Sequence, residues 1–288
     1  MINLRDDALG KMSPMSASPT RLPRTCVLSI AGSDPSAGGG AQADLKTLSS
    51  LAVYGLSVIT LITAQDSDRV YTWASVEPQL VRAQIEAAVG QCAVSAVKLG
   101  ALGNAAVVEV VARALEEQAL GPIVLDPVLV SSSGMRLSEP AGETIMRERL
   151  LPLTTILTPN LAEAELLSAV PVSDMAGMRR AARVLHEMGP HAIVIKGGHL
   201  GGEQPALDLY FDGKSFHELS ALRVPGVDPH GTGCAFSAAI AAYLARGADG
   251  LEAVQQAKQY ISRAIAYSFS LGGRRAMLDH ERAGRERS

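Results

Sequence analysis

The chain has 288 residues, of which 47% are hydrophobic, enough to build a substantial core and to exclude wholesale disorder. Its net charge of −3, from 26 basic and 29 acidic residues, gives no electrostatic reason to expect nucleic acid or an anionic membrane as partner. Cys26, Cys92 and Cys234 are widely spaced with no C-x-x-C, so they read as reduced thiols of a cytoplasmic protein, not a disulfide framework or zinc site.

Residues 1–24 carry Ser, Pro, Met and mixed charges but no continuous apolar block, so they read as a disordered extension and not a signal peptide. From Cys26 onward, short β-branched apolar runs alternate with helical stretches. "VLSIAG" (27–32) is predicted as a buried strand, 40–55 as a helix closed by glycine, and 56–65 as a strand. The longest apolar run, 51–64, falls short of the roughly 20 residues that span a bilayer. A polar segment leads to a helix over 78–90, the strand "AVSAVKLG", a helix over 104–118 and "PIVLDPV" (122–128). A helix near 140–150, the strand "TTILTPN", helices over 161–168 and 174–188 and the strand "HAIVIKGG" follow. Two alternating runs then flank Asp212–Gly213, a hairpin signal of the type I′ kind. The helix of "PHGTGCAFSAAIAAYLA" (229–245) and a last helix near 251–271 complete the chain, with 273–288 expected to fray.

Continuous apolar strands between helices imply a parallel sheet covered on both faces. The expected fold is α/β: one three-layer, doubly wound domain over 25–272, mostly parallel, with a small antiparallel hairpin. Ligands of such sheets bind at the carboxyl ends of the strands, and the informative residues sit there. "GSDPSAGGG" (32–40) is neither a Walker A nor a dinucleotide fingerprint; Asp34 within it either caps the turn or contacts a hydroxyl. Asp126 is a cap or a cation-side group. Asn160 and Glu163 in "TPNLAEAE" suit ordinary capping, and Lys196 beside Gly197 and Gly198 is a candidate phosphate contact. The strongest feature is "HGTGC": Gly231, Thr232 and Gly233 place consecutive N–H groups at a helix start, an anion hole. His230, with no evident partner, reads as a structural hydrogen-bond donor.

Together these segments resemble the hydroxymethylpyrimidine/phosphomethylpyrimidine kinases of thiamine biosynthesis, within the ribokinase-like superfamily. The resemblance runs from about Val27 to Gly272 and rests on "IAGSDPSAGGGAQADLKT", Gln65, "VKLG", "LDPV", "LTPNLAEAELL", "IKGGH" and "HGTGCAFSAAIAA". It implies an ATP- and Mg2+-dependent kinase acting on a small pyrimidine, with a homodimer as the expected assembly. Cys234 falls where most of the superfamily carries an aspartate base, so the thiol is read as the proton acceptor, its pKa lowered by the helix N-terminus, or as a group that only shapes the pocket. Gln65 matches the residue that bonds the aminopyrimidine, and Ala31 and Val128 match its apolar walls. Asp126, Asn160 and Glu163 match the side holding magnesium and the ATP phosphates, and Lys196 matches the nucleotide side.

Departures from the family pattern cluster on the acceptor side: Thr63, Arg69 in a mobile covering loop, Ala101 and Ser132. They leave open whether one or both phosphorylations occur. Pyridoxal kinase is the alternative acceptor reading, and a non-catalytic pyrimidine sensor the alternative class. A dinucleotide-dependent oxidoreductase fails for want of the G-x-G-x-x-G fingerprint.

Overall fold

The computed structural model describes residues 24–118, 120–131, 133–198 and 205–285. The expected extension up to residue 23, Ser132 and residues 286–288 lie outside the described residues. In chain order the strands are β1 (Cys26–Ser33), β2 (Tyr54–Gln65), β3 (Val70–Ser75), β4 (Ala96–Leu99), β5 (Ile123–Leu125), β6 (Ile156–Leu157), β7 (Ala192–Ile195), β8 (Ala206–Phe211) and β9 (Phe216–Ala221). They form one sheet in the order β3-β2-β1-β4-β5-β6-β7-β8-β9. The stretch from β2 to β7 is parallel, and β3, β8 and β9 add antiparallel edges.

Burial explains the parallel centre. Every residue of β4, β5, β6 and β7 is buried, as is β1 through Gly32, so both faces need a helical cover. One face packs Leu28, Ile30, Val97, Leu99 and Leu125 against α2 (Pro78–Gln91), α3 (Ala105–Glu117), α5 (Leu161–Ser168) and α6 (Met175–Glu187). The other packs Val27, Ala96, Val124 and Val194 against α1 (Gly40–Ser50), α7 (Thr232–Ala245) and α8 (Gly250–Ala266). The short α4 (Pro140–Ile145) precedes β6. Helix α7 is buried from Ala235 through Ala242; its small side chains let it lie close against the middle of the sheet.

Four expectations are corrected. Helix α1 stops at Ser50, and Ala52 takes the left-handed turn (φ 60°). Gly55, expected to close that helix, lies in β2, where a Cβ would come within 2.5 Å of Leu45 Cδ2; its task is close helix–strand packing. The polar segment after β2 holds β3, an edge strand exposed over much of its length and therefore without the apolar run that would announce it. The 212–215 turn is not type I′, because only Gly213 has positive φ; Asp212 Oδ1 instead accepts from the Lys214 and Ser215 amides at 2.8 and 2.6 Å, an Asx turn.

The last correction concerns the tail. Within 273–285 the chain forms β11 (Ala276–Met277), parallel to β10 (Pro229–His230), and then α9 (His280–Arg285). Met277, Leu278, His280 and Ala283 are buried. His280 Nδ1 lies 3.0 Å from Tyr260 Oη and 3.3 Å from Thr47 Oγ1, and burial pushes its pKa down to about 4. A few buried residues spaced among Arg, Asp and Glu carry this docking, which is why the composition reads as a frayed end. Truncation after Gly272 is expected to cost about 3 kcal/mol or more, from Met277 and Leu278 alone, read as a lower denaturant midpoint; an unchanged midpoint would contradict this packing.

Candidate active site

Strand β1 connects outward to β2, while β4 and its successors build away on β1's other side. Such a divergence leaves a crevice at the carboxyl ends of the strands. A cleft of about 1160 Å³ opens there, larger than most single-ligand pockets and wide enough for two ligands side by side.

The floor of the cleft is the start of α7. Helices α3, α5, α6 and α8 are capped by the side chains of Asn104, Asn160, Asp174 and Asp249. Helix α7 begins at Gly231 with φ 79° and, like α1, α2 and α4, has no side-chain cap, so its first-turn amides stay available to an anion. Gly231 admits no substituent: a Cβ would sit 1.6 Å from Gly38 O. That contact presses the loop after β1 against the loop entering α7.

Charged groups converge above these amides. Lys196 Nζ lies 2.7 Å from Asp126 Oδ1, and a Cβ on Gly233 would be 3.2 Å from Lys196 Nζ and 3.6 Å from Asp126 Oδ2. Thr158 and Ser237 donate to Asp126 at 3.3 and 3.4 Å. Asn160 and Glu163 form a capping box on α5, with both reciprocal bonds at 2.9 Å, so the capping reading of the pair is realised inside the cleft wall. Burial, reinforced by the Asp126 charge and opposed by Lys196, pushes the Glu163 carboxyl up to about 7.

Ala31, Thr63, Gln65, Ala101 and Val128, expected on the acceptor side, also line the cleft, as does Leu61. Thr63 Oγ1 donates to Ser33 O at 2.9 Å, so its hydroxyl is already engaged. Asp34 accepts from the Gly39 and Ser36 amides at 2.6 and 2.8 Å. His230 Nε2 lies 2.9 Å from Asp34 Oδ2, a partner 196 residues away and invisible in the local sequence. Burial works against the Asp34 charge, but bonds from His230, Gln65 and Ser36 outweigh it and hold the carboxyl well below the usual carboxylate range. The covering loop is braced: Asp66 Oδ1 accepts from the Asp68 and Arg69 amides at 2.9 Å, and Arg69 stacks 4.5 Å above Tyr71. Asp68 Oδ1 in turn accepts from the Arg274 and Arg275 amides.

Cys234 is half-buried and lines the same cleft. The expected lowering of its pKa is not what the structure gives. Burial, with Asp44 and Asp126 adding to it, pushes the thiol up to about 11 against the opposing effects of Lys98 and the Gly40 amide. The helix start alone does not overcome desolvation. Sequence reasoning missed Lys98, a fully buried lysine whose Nζ is 2.8 Å from Asp44 Oδ2; the signal was a charge inside the apolar run "AVKLG". It also passed over Val224, Pro225, Ile261 and Ile265, apolar residues that line the same cleft.

This fold and this site define a small-molecule kinase of the ribokinase-like class. The phosphomethylpyrimidine kinase family model matches residues 34–279. The chain is 45% identical to the hydroxymethylpyrimidine/phosphomethylpyrimidine kinase of Rhizobium meliloti, over 83% of this chain and 90% of that one. Against the Arabidopsis thaliana thiamine biosynthetic bifunctional enzyme it is 41% identical, covering 88% of this chain but 49% of the relative, so the chain spans about half the length of such bifunctional relatives. Among solved structures, the Staphylococcus aureus pyridoxal kinase in complex with pyridoxal superposes with a TM-score of 0.84 at 33% identity, over 92% of this chain and 96% of that one. For the Clostridium difficile phosphomethylpyrimidine kinase the values are 0.74, 36%, 83% and 99%. The chain belongs to the phosphomethylpyrimidine kinase family.

The Glu163 carboxyl supplies a test of the site's electrostatics. Between the ordinary 4.5 and about 7, the folded chain keeps a proton that the unfolded chain releases, so stability drops as pH rises through that window. Glu163→Gln keeps the cap but cannot ionise. In metal-free buffer it is expected to melt above wild type at pH 8, with the difference closing toward pH 5.

Proposed function

We propose that the protein transfers the γ-phosphoryl group of ATP to the hydroxymethyl group of 4-amino-5-hydroxymethyl-2-methylpyrimidine, and then to the resulting monophosphate, in thiamine biosynthesis. The observation that carries this reading is the uncapped start of α7, with Lys196 and Asp126 above it and Cys234 beside it, in one cleft with Gln65. Phosphoryl transfer asks mainly for alignment and charge neutralisation. The amides of Thr232, Gly233 and Cys234 would hold the transferred group, Lys196 would balance its charge, and Val224, Pro225, Ile261 and Ile265 on the cleft lining would take the base. Gln65 would orient the acceptor ring against the walls of Ala31, Ala101 and Val128, with Asp34 and Thr63 beside it.

Among the described residues no three His, Cys, Asp or Glu side chains form a metal cage. A magnesium ion needs none, since it is usually held by one or two carboxylates, waters and substrate phosphates. Asp126 and Glu163, two close acids of which one is driven up to about 7 by burial and its neighbour's charge, fit that arrangement, and the ion would neutralise charge on the phosphates. In the transfer, the acceptor oxygen bonds to γ-phosphorus as the bridging P–O bond to ADP breaks, and the hydroxyl proton passes to Cys234 in its thiolate form, the minor species of a thiol pushed up to about 11.

A second acceptor, pyridoxal, is favoured by one observation, the high superposition on a pyridoxal-bound kinase. Turnover with the hydroxymethylpyrimidine, its monophosphate and pyridoxal, assayed side by side, separates the readings. Activity on pyridoxal alone overturns the acceptor assignment, and no activity on any favours a sensor. Cys234→Ala is expected to lose at least about a hundredfold in kcat, the lower range of a lost proton acceptor, with ATP affinity kept; near-normal turnover would sink the base.

The reading extends to a homodimer in the cytoplasm. Ile62, 58% exposed, shares the outer face of the β2–β3 edge with Ala64, Thr72 and Ala74, an apolar strip suited to a second copy. No described helix is long and apolar enough to cross a membrane. Sedimentation should show a dimer that Ile62→Asp converts to monomer; a monomeric wild type would refute the assembly.

A further inference from the structure

Beneath the acceptor pocket lies a buried ion pair that the phosphoryl-transfer machinery above does not use. Lys98 on β4 and Asp44 on α1 are both fully buried, with Nζ and Oδ2 2.8 Å apart. Ser29 Oγ donates to the same Asp44 oxygen at 2.6 Å, while Asp44 Oδ1 has no hydrogen-bond partner among the described residues. Desolvating such a pair costs several kcal/mol per ion, and apolar residues of similar volume often serve stability as well or better. A half-satisfied pair held in the centre of the fold therefore points to a task other than stability.

Its surroundings indicate the task. Lys98 lines the same cleft as Cys234, and its Nζ reaches the floor of the acceptor pocket, where a Cβ on Gly100 would meet it at 2.8 Å and Ala31 Cβ at 3.0 Å. Two groups of helix α1 bear on the sulfur: the Gly40 amide favours its negative charge, and Asp44, one turn later, opposes it. The charged groups facing Cys234 are then Lys98 from β4, Asp44 from α1, Asp126 beyond β5 and Lys196 beyond β7. Lys98 and Asp44 oppose each other in their effect on the sulfur.

We propose that Lys98 is a positioning residue for Cys234: its ammonium, anchored by Asp44, supports negative charge on the sulfur, and the Asp44 carboxylate limits that support. The idea rests on the reading of Cys234 as proton acceptor, because only an ionisable sulfur needs such tuning. Burial raises the thiol, and the lysine supplies the opposing charge that keeps the thiolate within reach.

The thiolate, not the thiol, displaces iodide from iodoacetamide, so the alkylation rate of Cys234 at fixed pH, followed by peptide mass spectrometry on the full chain, reads the sulfur directly. The comparison uses Asp44→Asn alone and Asp44→Asn with Lys98→Met, so that neither variant leaves a carboxylate unpaired. Asp44→Asn is expected to alkylate about tenfold faster than wild type at pH 8.5, one pKa unit's worth of thiolate. Adding Lys98→Met should remove the whole gain. Lys98→Arg against Lys98→Met repeats the test with Asp44 intact, should the asparagine variant melt by circular dichroism. A purely structural pair would loosen the core and change both members of each comparison alike, so equal rates within a pair overturn the proposal. Full turnover by Cys234→Ala would instead sink the base reading and leave the alkylation comparison standing.

Discussion

The contact between Gly231 and the Gly38 carbonyl is where the architecture and the chemistry meet. It forces two loops, from opposite ends of the sequence, to touch at the one place where the sheet's connections diverge. The αL turn at Gly231 follows from it, and the turn leaves α7 without the side-chain cap found on α3, α5, α6 and α8. Free amides at a helix start carry a partial positive charge whose best partner is an anion. The alanine run behind them serves the same end, since only small side chains let α7 lie deep enough to deliver that charge to the centre of the sheet.

Around this point the protein concentrates charge that it leaves only partly compensated. Lys196 answers both Asp126 and Glu163, and Lys98 answers Asp44 with one carboxylate oxygen to spare. Such an arrangement is expensive while nothing is bound, and the phosphates and divalent cation of the proposed reaction would complete it. The high pKa of Glu163 is the local sign of that imbalance. Asp34 shows the opposite case: its bonds are complete, so its carboxylate is quiet and its job is to hold the loop and His230 in place.

Much of this was legible in the sequence, for physical reasons. Fully buried parallel strands read as unbroken apolar runs, and the glycines of "HGTGC" sit where a tight turn must open onto a helix. What was not legible depended on partners distant in the chain. The state of Cys234 is set by Lys98, Asp44 and Asp126, from three separate elements, and a motif centred on the thiol contains none of them. His230 gained its carboxylate from across the fold. Edge strand β3 and helix α9 were hidden because half-exposed elements need few apolar residues.

The C-terminal segment has a mechanical consequence. Arg274 and Arg275 hold the loop after β2 through Asp68, Arg275 pairs with Asp228 just before the α7 turn, and β11 lies alongside β10. The loop after β2 and the turn entering α7 are thus laced together by one short segment near the end of the chain. A load applied to that end, such as a fused domain tugging on its linker, would first strain the docking of α9 on α1 and α8 and only then reach β11 and the two arginine amides that brace the cleft loop.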